Sequence, residues 1–495
     1  MKHWAWLVLP LAAWAGGCVS SQDAESSAVR MLNAVADSSN MALTVSGQRR
    51  SSATAYGAGT SYLALGVGRF TVRIDEALPL DADPDIRTLY SGEHALGVND
   101  ELTLVVLGQE ASDAVEVLAI PSKTRGVSIG KTRMQFVHAG FGLQPVDIYV
   151  GAVGSLPQAS TPLVAGMAYG EFTVQTELAG GNAQIIVTPA GDPATILLDS
   201  GRVQLPAEGT WLVAVIANPE ADAARHPISL SVLTGTGSSL LRDKDASALL
   251  RFVNASPGTY AIDGFANSAL LNGTERQDCD PATTEPETAV EQCAQPFRFI
   301  GPFHEVVPGT YQLKTQKAAD AAVSARSVTA SFAAGTASTV VTTGLIADED
   351  EATTTGLQIA LAARRMHSAA LLRVVNVSQA AVMAVQGDPS TDRLELYITP
   401  PCELPDAESE PVLGNLAFGS DTSYLARVPG DYQLSLARVD RASSGTSVEV
   451  LLSRRLTLAA GGVYTEFVID SLGATLPPDF LSVDDDPGFQ GCPGP

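Results

Sequence analysis

The chain has 495 residues, about three domains at the usual ~150 residues each, so a single compact unit is not expected. Lys and Arg number 30 against 54 Asp and Glu, a net charge of −24, which leaves no basic field to attract nucleic-acid phosphates or anionic lipid. Apolar content of 45% excludes a disordered polyampholyte, and 44 Gly with 29 Pro punctuate the chain at intervals that suit short strands rather than long helices.

Met1-Lys2-His3 is a short basic start, Trp4 to Trp14 is an apolar run broken only by Pro10, and small residues follow to Gly17-Cys18. This is the tripartite build of a secretory signal peptide, too short to remain as a membrane span. Ala15-Gly16-Gly17-Cys18 resembles the bacterial lipobox, which implies cleavage after residue 17, lipid on Cys18 and a tether over 18–27. Acyl chains at Cys18 would then be the membrane partner. Val19 after the cysteine favours, by the same resemblance, an outer membrane. Ala13-Trp14-Ala15 also reads as an ordinary cleavage site that would release the chain in soluble form.

Four segments then open alike: Arg30 to Ala34, Gln135 to Ala139, Arg251 to Ala255 and Arg373 to Val377. Their polar fourth residues, Asn33, His138, Asn254 and Asn376, are separated by 138−33 = 105, 254−138 = 116 and 376−254 = 122 residues, each a domain's length. These residues are expected to close a turn through side-chain to backbone hydrogen bonds. Further on, Gly68-Arg69-Phe70, Gly170-Glu171-Phe172, Gly309-Thr310-Tyr311 and Gly430-Asp431-Tyr432 each pair a turn glycine with an aromatic that starts an alternating, strand-like run. Leu102 to Leu107, Trp211 to Ile216, Ser338 to Val341 and Tyr464 to Ile469 are nearly continuously apolar or β-branched, as strands inside a core are. The expected fold class is all-β: four tandem immunoglobulin-like antiparallel sandwiches over 28–121, 132–234, 247–346 and 368–472, with a tail over 473–495. Linkers are expected at Ser122 to Lys131, Gly235 to Asp245 and Ala347 to Gly356, the last carrying the acidic run Asp348 to Glu351.

Units three and four hold about 20 more residues than the first two between the opening strand and the aromatic. Those inserts carry Cys279, Cys293 and Cys402. With Cys18 lipidated, these three and Cys492 remain as disulfide candidates, and of their possible pairings Cys279–Cys293 and Cys402–Cys492 staple loops that bury little surface of their own. Free buried thiols are the alternative.

The polar-capped opening strand, Val146-Asp147-Ile148-Tyr149-Val150, Leu416 to Tyr424, Pro429-Gly430-Asp431-Tyr432 and Ala459 to Thr465 together resemble the bacterial family called domain of unknown function 4397. The resemblance is good in units two and four, moderate in three and weakest in one. It implies an extracellular, tandemly repeated immunoglobulin-like sandwich and carries no activity or site.

Motifs for chemistry are near misses. Gly126 to Thr132 has three residues between its glycines where a phosphate loop needs four, and it precedes an apparent strand. Asp81-Ala82-Asp83-Pro84-Asp85 alternates carboxylates as calcium loops do, but Ile86 and Gly92 stand where the turning Gly and the bidentate Glu belong. The acidic run Asp484-Asp485-Asp486 reads as solvated, and the six histidines form no spaced ligand set. There is no Gly-x-Ser-x-Gly elbow. The chain is therefore expected to be no enzyme, to hold no cofactor or metal and to bind no nucleic acid. Its expected function is that of an exported, lipid-anchored binding or adhesion module that meets a surface protein through its loops, the inserts above all. The alternative is a spacer with no ligand of its own. Glycan recognition ranks lower, because three of four Trp lie in the signal and Trp211 sits in a core strand.

Overall fold

The computed structural model describes residues 26–123, 126–220, 222–257, 261–271, 295–317, 320–324, 327–343, 355–361, 364–384, 392–442, 445–471 and 478–484. Unit one comprises β1 (Ser26–Asn33), β2 (Met41–Val45), β3 (Gln48–Arg49), β4 (Leu63–Gly66), β5 (Gly68–Ala77), β6 (Ile86–Leu96), β7 (Asp100–Gln109) and β8 (Ala114–Lys123). Unit two has β9 (Lys131–His138), β10 (Val146–Gly151), β11 (Val164–Met167), β12 (Thr176–Ala179), β13 (Gly181–Pro189), β14 (Leu198–Asp199), β15 (Val203–Leu205), β16 (Gly209–Ala217), β17 (Ile228–Leu233) and β18 (Ser238–Leu241). Unit three has β19 (Ala248–Asn254), β20 (Ile262–Ala266), β21 (Ala269–Leu270), β22 (His304–Val306), β23 (Gly309–Lys317), β24 (Asp320–Ser324), β25 (Val328–Phe332), β26 (Ala337–Thr343) and β27 (Thr355–Leu361). Unit four has β28 (Ala370–Asn376), the short helix α1 (Gln379–Met383), β29 (Asp392–Thr399), β30 (Leu425–Arg427), β31 (Gly430–Ala442), β32 (Gly445–Leu458), β33 (Val463–Ile469) and β34 (Asp479–Asp484).

The fold is all-β, and every unit is a sandwich of two sheets. The first sheet has one plan throughout: β4-β1-β7-β8 in unit one, β12-β9-β16-β17-β18 in two, β22-β19-β26-β27 in three and β30-β28-β33-β34 in four. The second sheet is built around β2-β5, β10-β13, β20-β23 and β29-β31. Pairing is antiparallel except at one place in each unit: the opening strand runs parallel to a late one (β7, β16, β26 or β33), as with Arg30 beside Thr103 and Arg373 beside Thr465. A parallel neighbour needs a long crossover, and the whole second sheet supplies it.

Units extend further than their hydrophobic blocks indicate. Strands β18 and β27 reach into segments expected as linkers, and β34 comes from the expected tail, pairing with β33 from Tyr464–Asp484 to Ile469–Asp479. In unit two the glycine–aromatic block also lies elsewhere than expected. Phe172 forms an isolated bridge to Val137, and the strand matching β5, β23 and β31 starts at Gly181. Unit two thus has 181−138 = 43 residues from anchor to that glycine, against 68−33 = 35 in unit one.

The strands parallel to the opening ones (β7, β16, β26 and β33) are rich in apolar and β-branched residues because both of their faces are covered. In β7, Leu104 and Val106 point into the core of unit one, while Val105 and Leu107 join Leu32 and Ala34 against Val137, Leu212, Ala214 and Ile216 of unit two. Units three and four meet in the same way, through Val253, Ala255 and Val341 on one side and Val375, Val377, Phe467 and Ile469 on the other. First sheets therefore pack back to back, one with two and three with four. Each fully buried aliphatic or aromatic side chain in such a seam is worth about 1.5–3 kcal/mol of transfer free energy.

Further contacts complete a circuit. Arg225 of unit two pairs with Glu305 of unit three at 2.6 Å, and Asp81 of unit one accepts the Val428 N–H (3.1 Å) and the Tyr432 hydroxyl (3.0 Å) of unit four.

Candidate functional site

The anchor residues close their units from inside. Asn33, Asn254 and Asn376 are fully buried. Each Oδ1 accepts the N–H two residues on, from Val35 (3.1 Å), Ser256 (3.0 Å) and Ser378 (3.0 Å). Each Nδ2 donates to a distant carbonyl: Thr54 at 3.4 Å, Gln295 at 2.9 Å and Leu416 at 3.0 Å. The amide thus fixes the first turn and ties it to a later loop, which only a side chain with both donor and acceptor can do. His138 takes this place in unit two, its Nε2 bonding the Gln144 carbonyl at 3.1 Å, and burial lowers its pKa. These residues hold structure and are not a ligand set.

Three residues before each Asn anchor lies a buried arginine. Arg30 stacks over the Tyr62 ring (4.1 Å), Arg251 over Phe303 (4.3 Å) and Arg373 over Tyr424 (4.5 Å). Each donates from Nε to a threonine on the parallel strand: Thr103 at 2.9 Å, Thr339 at 3.0 Å and Thr465 at 3.2 Å. Unit two has Gln135 in this position, bonding the Thr173 carbonyl at 2.9 Å. A desolvated guanidinium is costly unless its donors and its face are both occupied, and this triad occupies both. Arg30 also donates to the Thr234 carbonyl of unit two at 2.5 Å, so the triad sits in the seam between units.

Two surfaces face outward. On unit two, the loop after β10 folds over the second sheet with Pro157 buried, and Gln184 pins it by accepting the Gly154 N–H (2.6 Å) and donating to Asp199 (2.7 Å). Beside it opens a cleft of about 260 Å³, lined by Val153, Leu156, Ile186, Ile196, Asp199 and Lys244. On unit four, the insert after β29 is ordered by the chain itself. Val412 and Leu416 donate their N–H groups to Leu396 and Leu394 (both 2.8 Å), Leu416 is buried, and Asp406 caps a turn by accepting from Glu408 and Ser409 (both 3.0 Å). Backbone bonds to the edge strand β29 thus anchor this insert. Leu404 at its tip is 59% exposed.

Of the cysteines, Cys402 is described: it is exposed in this insert and carries no disulfide among the described residues. Cys18, Cys279, Cys293 and Cys492 lie outside the described residues, as do the signal segment, most of the unit-three insert and Asp348 to Glu351. In the acidic loop between β5 and β6, Asp81 turns to unit four rather than toward Asp83 and Asp85. Among the described residues no group of three or more His, Cys, Asp or Glu could hold a metal ion, and no helix is long and apolar enough to cross a membrane. Lys131 and Thr132 of the glycine loop fall on strand β9, which gives no helix end for a phosphate.

Residues 27–149 match the family model "Domain of unknown function (DUF4397)". The match takes in unit one and the first two strands of unit two, so the unit in which sequence motifs are weakest is the one that the family model finds. No curated protein matches the chain. Among solved structures, the Bacillus anthracis TIE protein is similar at 10% identity over 87% of this chain, with a TM-score of 0.13, and the chain spans 66% of that protein's length. A likeness that small carries no argument about fold or function.

Proposed function

We propose that the chain is an exported, lipid-anchored surface protein, tethered through Cys18 to an outer membrane, whose four tandem units of this family bind a protein partner without catalysis. The closed circuit of contacts carries the reading. A spacer gains reach by extending its units in a line, whereas here unit four touches unit one through Asp81 and Tyr432 at 3.0 Å. First sheets are consumed by unit pairing, which leaves second sheets and loops for a partner. The ordered insert around Leu404 is the contact region we favour, with the expected disulfides Cys279–Cys293 and Cys402–Cys492 holding the inserts.

The mature protein and versions lacking Pro400 to Glu410 or Gln277 to Ala294 should be compared for capture of cell-envelope proteins after crosslinking on intact cells. Loss of the same partner in one deletion supports the reading. Identical capture by all three, together with reach that scales with unit number, would establish the spacer instead. Mass analysis of the unreduced mature chain should give an acylated Cys18 as first residue; an unmodified Gly16 there would refute the anchor.

A further inference from the structure

The segment that leads into unit four grips one loop of unit one. Arg364 donates to the carbonyls of Ala36 (2.7 Å) and Ser38, its guanidinium lies 5.4 Å from the centroid of the Tyr56 ring, and the His367 N–H donates to the Asp37 carbonyl at 2.7 Å. The same loop is held from within unit one by acidic side chains. The Asp37 carboxylate accepts the N–H groups of Glu110 and Ala111, both at 2.9 Å, and Glu76 accepts the Ser39 N–H at 2.8 Å.

Two of these acids share one cation. Glu76 and Glu110 have fully buried side chains. Arg87 donates to Glu76 Oε2 from Nε (3.0 Å) and Nη2 (2.6 Å) and also to Glu110 Oε1, while Glu110 Oε2 has no hydrogen-bond partner. Arg87 and Arg364 are the cations beside these three carboxyls, and a negative charge at Glu110 would stand buried beside Glu76 with one of its two oxygens unpartnered.

We propose that the loop over residues 36–39 is a proton-linked clasp: Glu110 holds a proton while unit four is docked on unit one and gives it to water when the two part. Arg364 and His367 leave the loop in that step, and water reaches the carboxyl pair. Burial first, and then the neighbouring Glu76 carboxylate, push Glu110 up to about 8, against the downward pull of Arg87. Arg364 faces Tyr56, Asp37, Glu110 and Glu76, so ionising Glu110 would also draw it closer. The net upward displacement shows that burial and repulsion win. The docked state therefore binds the extra proton, and docking weakens as pH climbs from the ordinary glutamate value of ~4.5 toward about 8. The clasp is independent of what the protein binds.

Hydrogen exchange of the full chain at pH 5.5 and 8.5, corrected for the intrinsic rate, tests it on peptides covering 35–39, 110–112 and 364–368. Protection should fall at least tenfold at the higher pH in the unmodified protein, should not fall in Glu110→Gln, and should be lost at both pH values in Arg364→Ala. Glu76→Gln removes the repulsion, so its fall should shrink, which keeps the test intact if Glu110→Gln does not fold. An unmodified protein protected equally at both pH values, or either glutamine variant falling as far as it does, overturns the proposal.

Discussion

The Tyr56 hydroxyl of unit one donates to the Ala217 carbonyl of unit two at 2.5 Å, at the point where β16 leaves its sheet. Burial raises the phenol pKa, so the hydroxyl stays a neutral donor across the working range. Tyr56→Phe keeps the ring that packs against this seam and takes the donor from the half-buried Ala217 carbonyl. The expected cost is about 1–3 kcal/mol, read by urea unfolding at pH 7.

Asn376 to Ala should be among the most damaging changes to unit four. It removes the acceptor of the Ser378 N–H and the donor to the Leu416 carbonyl together, in a fully buried site. Two stranded buried groups at ~1–3 kcal/mol each predict a loss of roughly 2–6 kcal/mol in denaturant melts. Asn376→Asp keeps the acceptor but forces a carboxylate against the Leu416 carbonyl, and it should regain stability below pH 5, when the acid can donate again.

The seam between units three and four depends on Phe467, which is fully buried among Val253, Val375 and Ile469. Phe467→Ala should cost ~3–5 kcal/mol, and its calorimetric trace should show units three and four melting together at a lower temperature. If unit four alone were affected, back-to-back packing would not be the source of the stability.

Glu466 is buried, bonded to Ser482 at 2.6 Å, with Arg454 at 3.4 Å. Burial raises its pKa despite both partners. A carboxyl raised on folding favours the native state at low pH and loses that contribution as pH rises from ~4.5 to its folded value. Glu466→Gln should therefore flatten the fall in melting temperature between pH 4.5 and 7, and a slope equal to that of the parent would contradict this assignment.

Much of the architecture is legible in the sequence because burial on two faces leaves an unbroken apolar record. Leu102 to Leu107 and Tyr464 to Ile469 can be read without knowing their partners. Short strands with polar residues are harder. Ser238–Leu241 and Asp479–Asp484 look like linker and tail because Ser and Asp break their apolar runs, although Leu240 and Leu241, and Phe480 and Leu481, pack on two different cores. Phe172 misleads for another reason: a glycine followed by an aromatic marks either a short edge bridge or the long strand of the second sheet, and local pattern cannot separate them. The arginine triads could have been found, because Arg30, Arg251 and Arg373 recur at a fixed offset from an asparagine that the repeats already single out. The grip of Arg364 on Ala36 could not, since it joins residues 328 apart in the chain.

Because the opening sheets lie back to back, one with two and three with four, the chain has a parity. A fragment ending after the second unit retires both members of a couple and leaves no greasy sheet uncovered at the cut, whereas one ending after the first or third orphans a partner and bares Leu32, Val105 and Leu107, or Val253 and Val341, to solvent. Even-numbered truncations should stay monodisperse, and odd-numbered ones should seek a mate in another molecule.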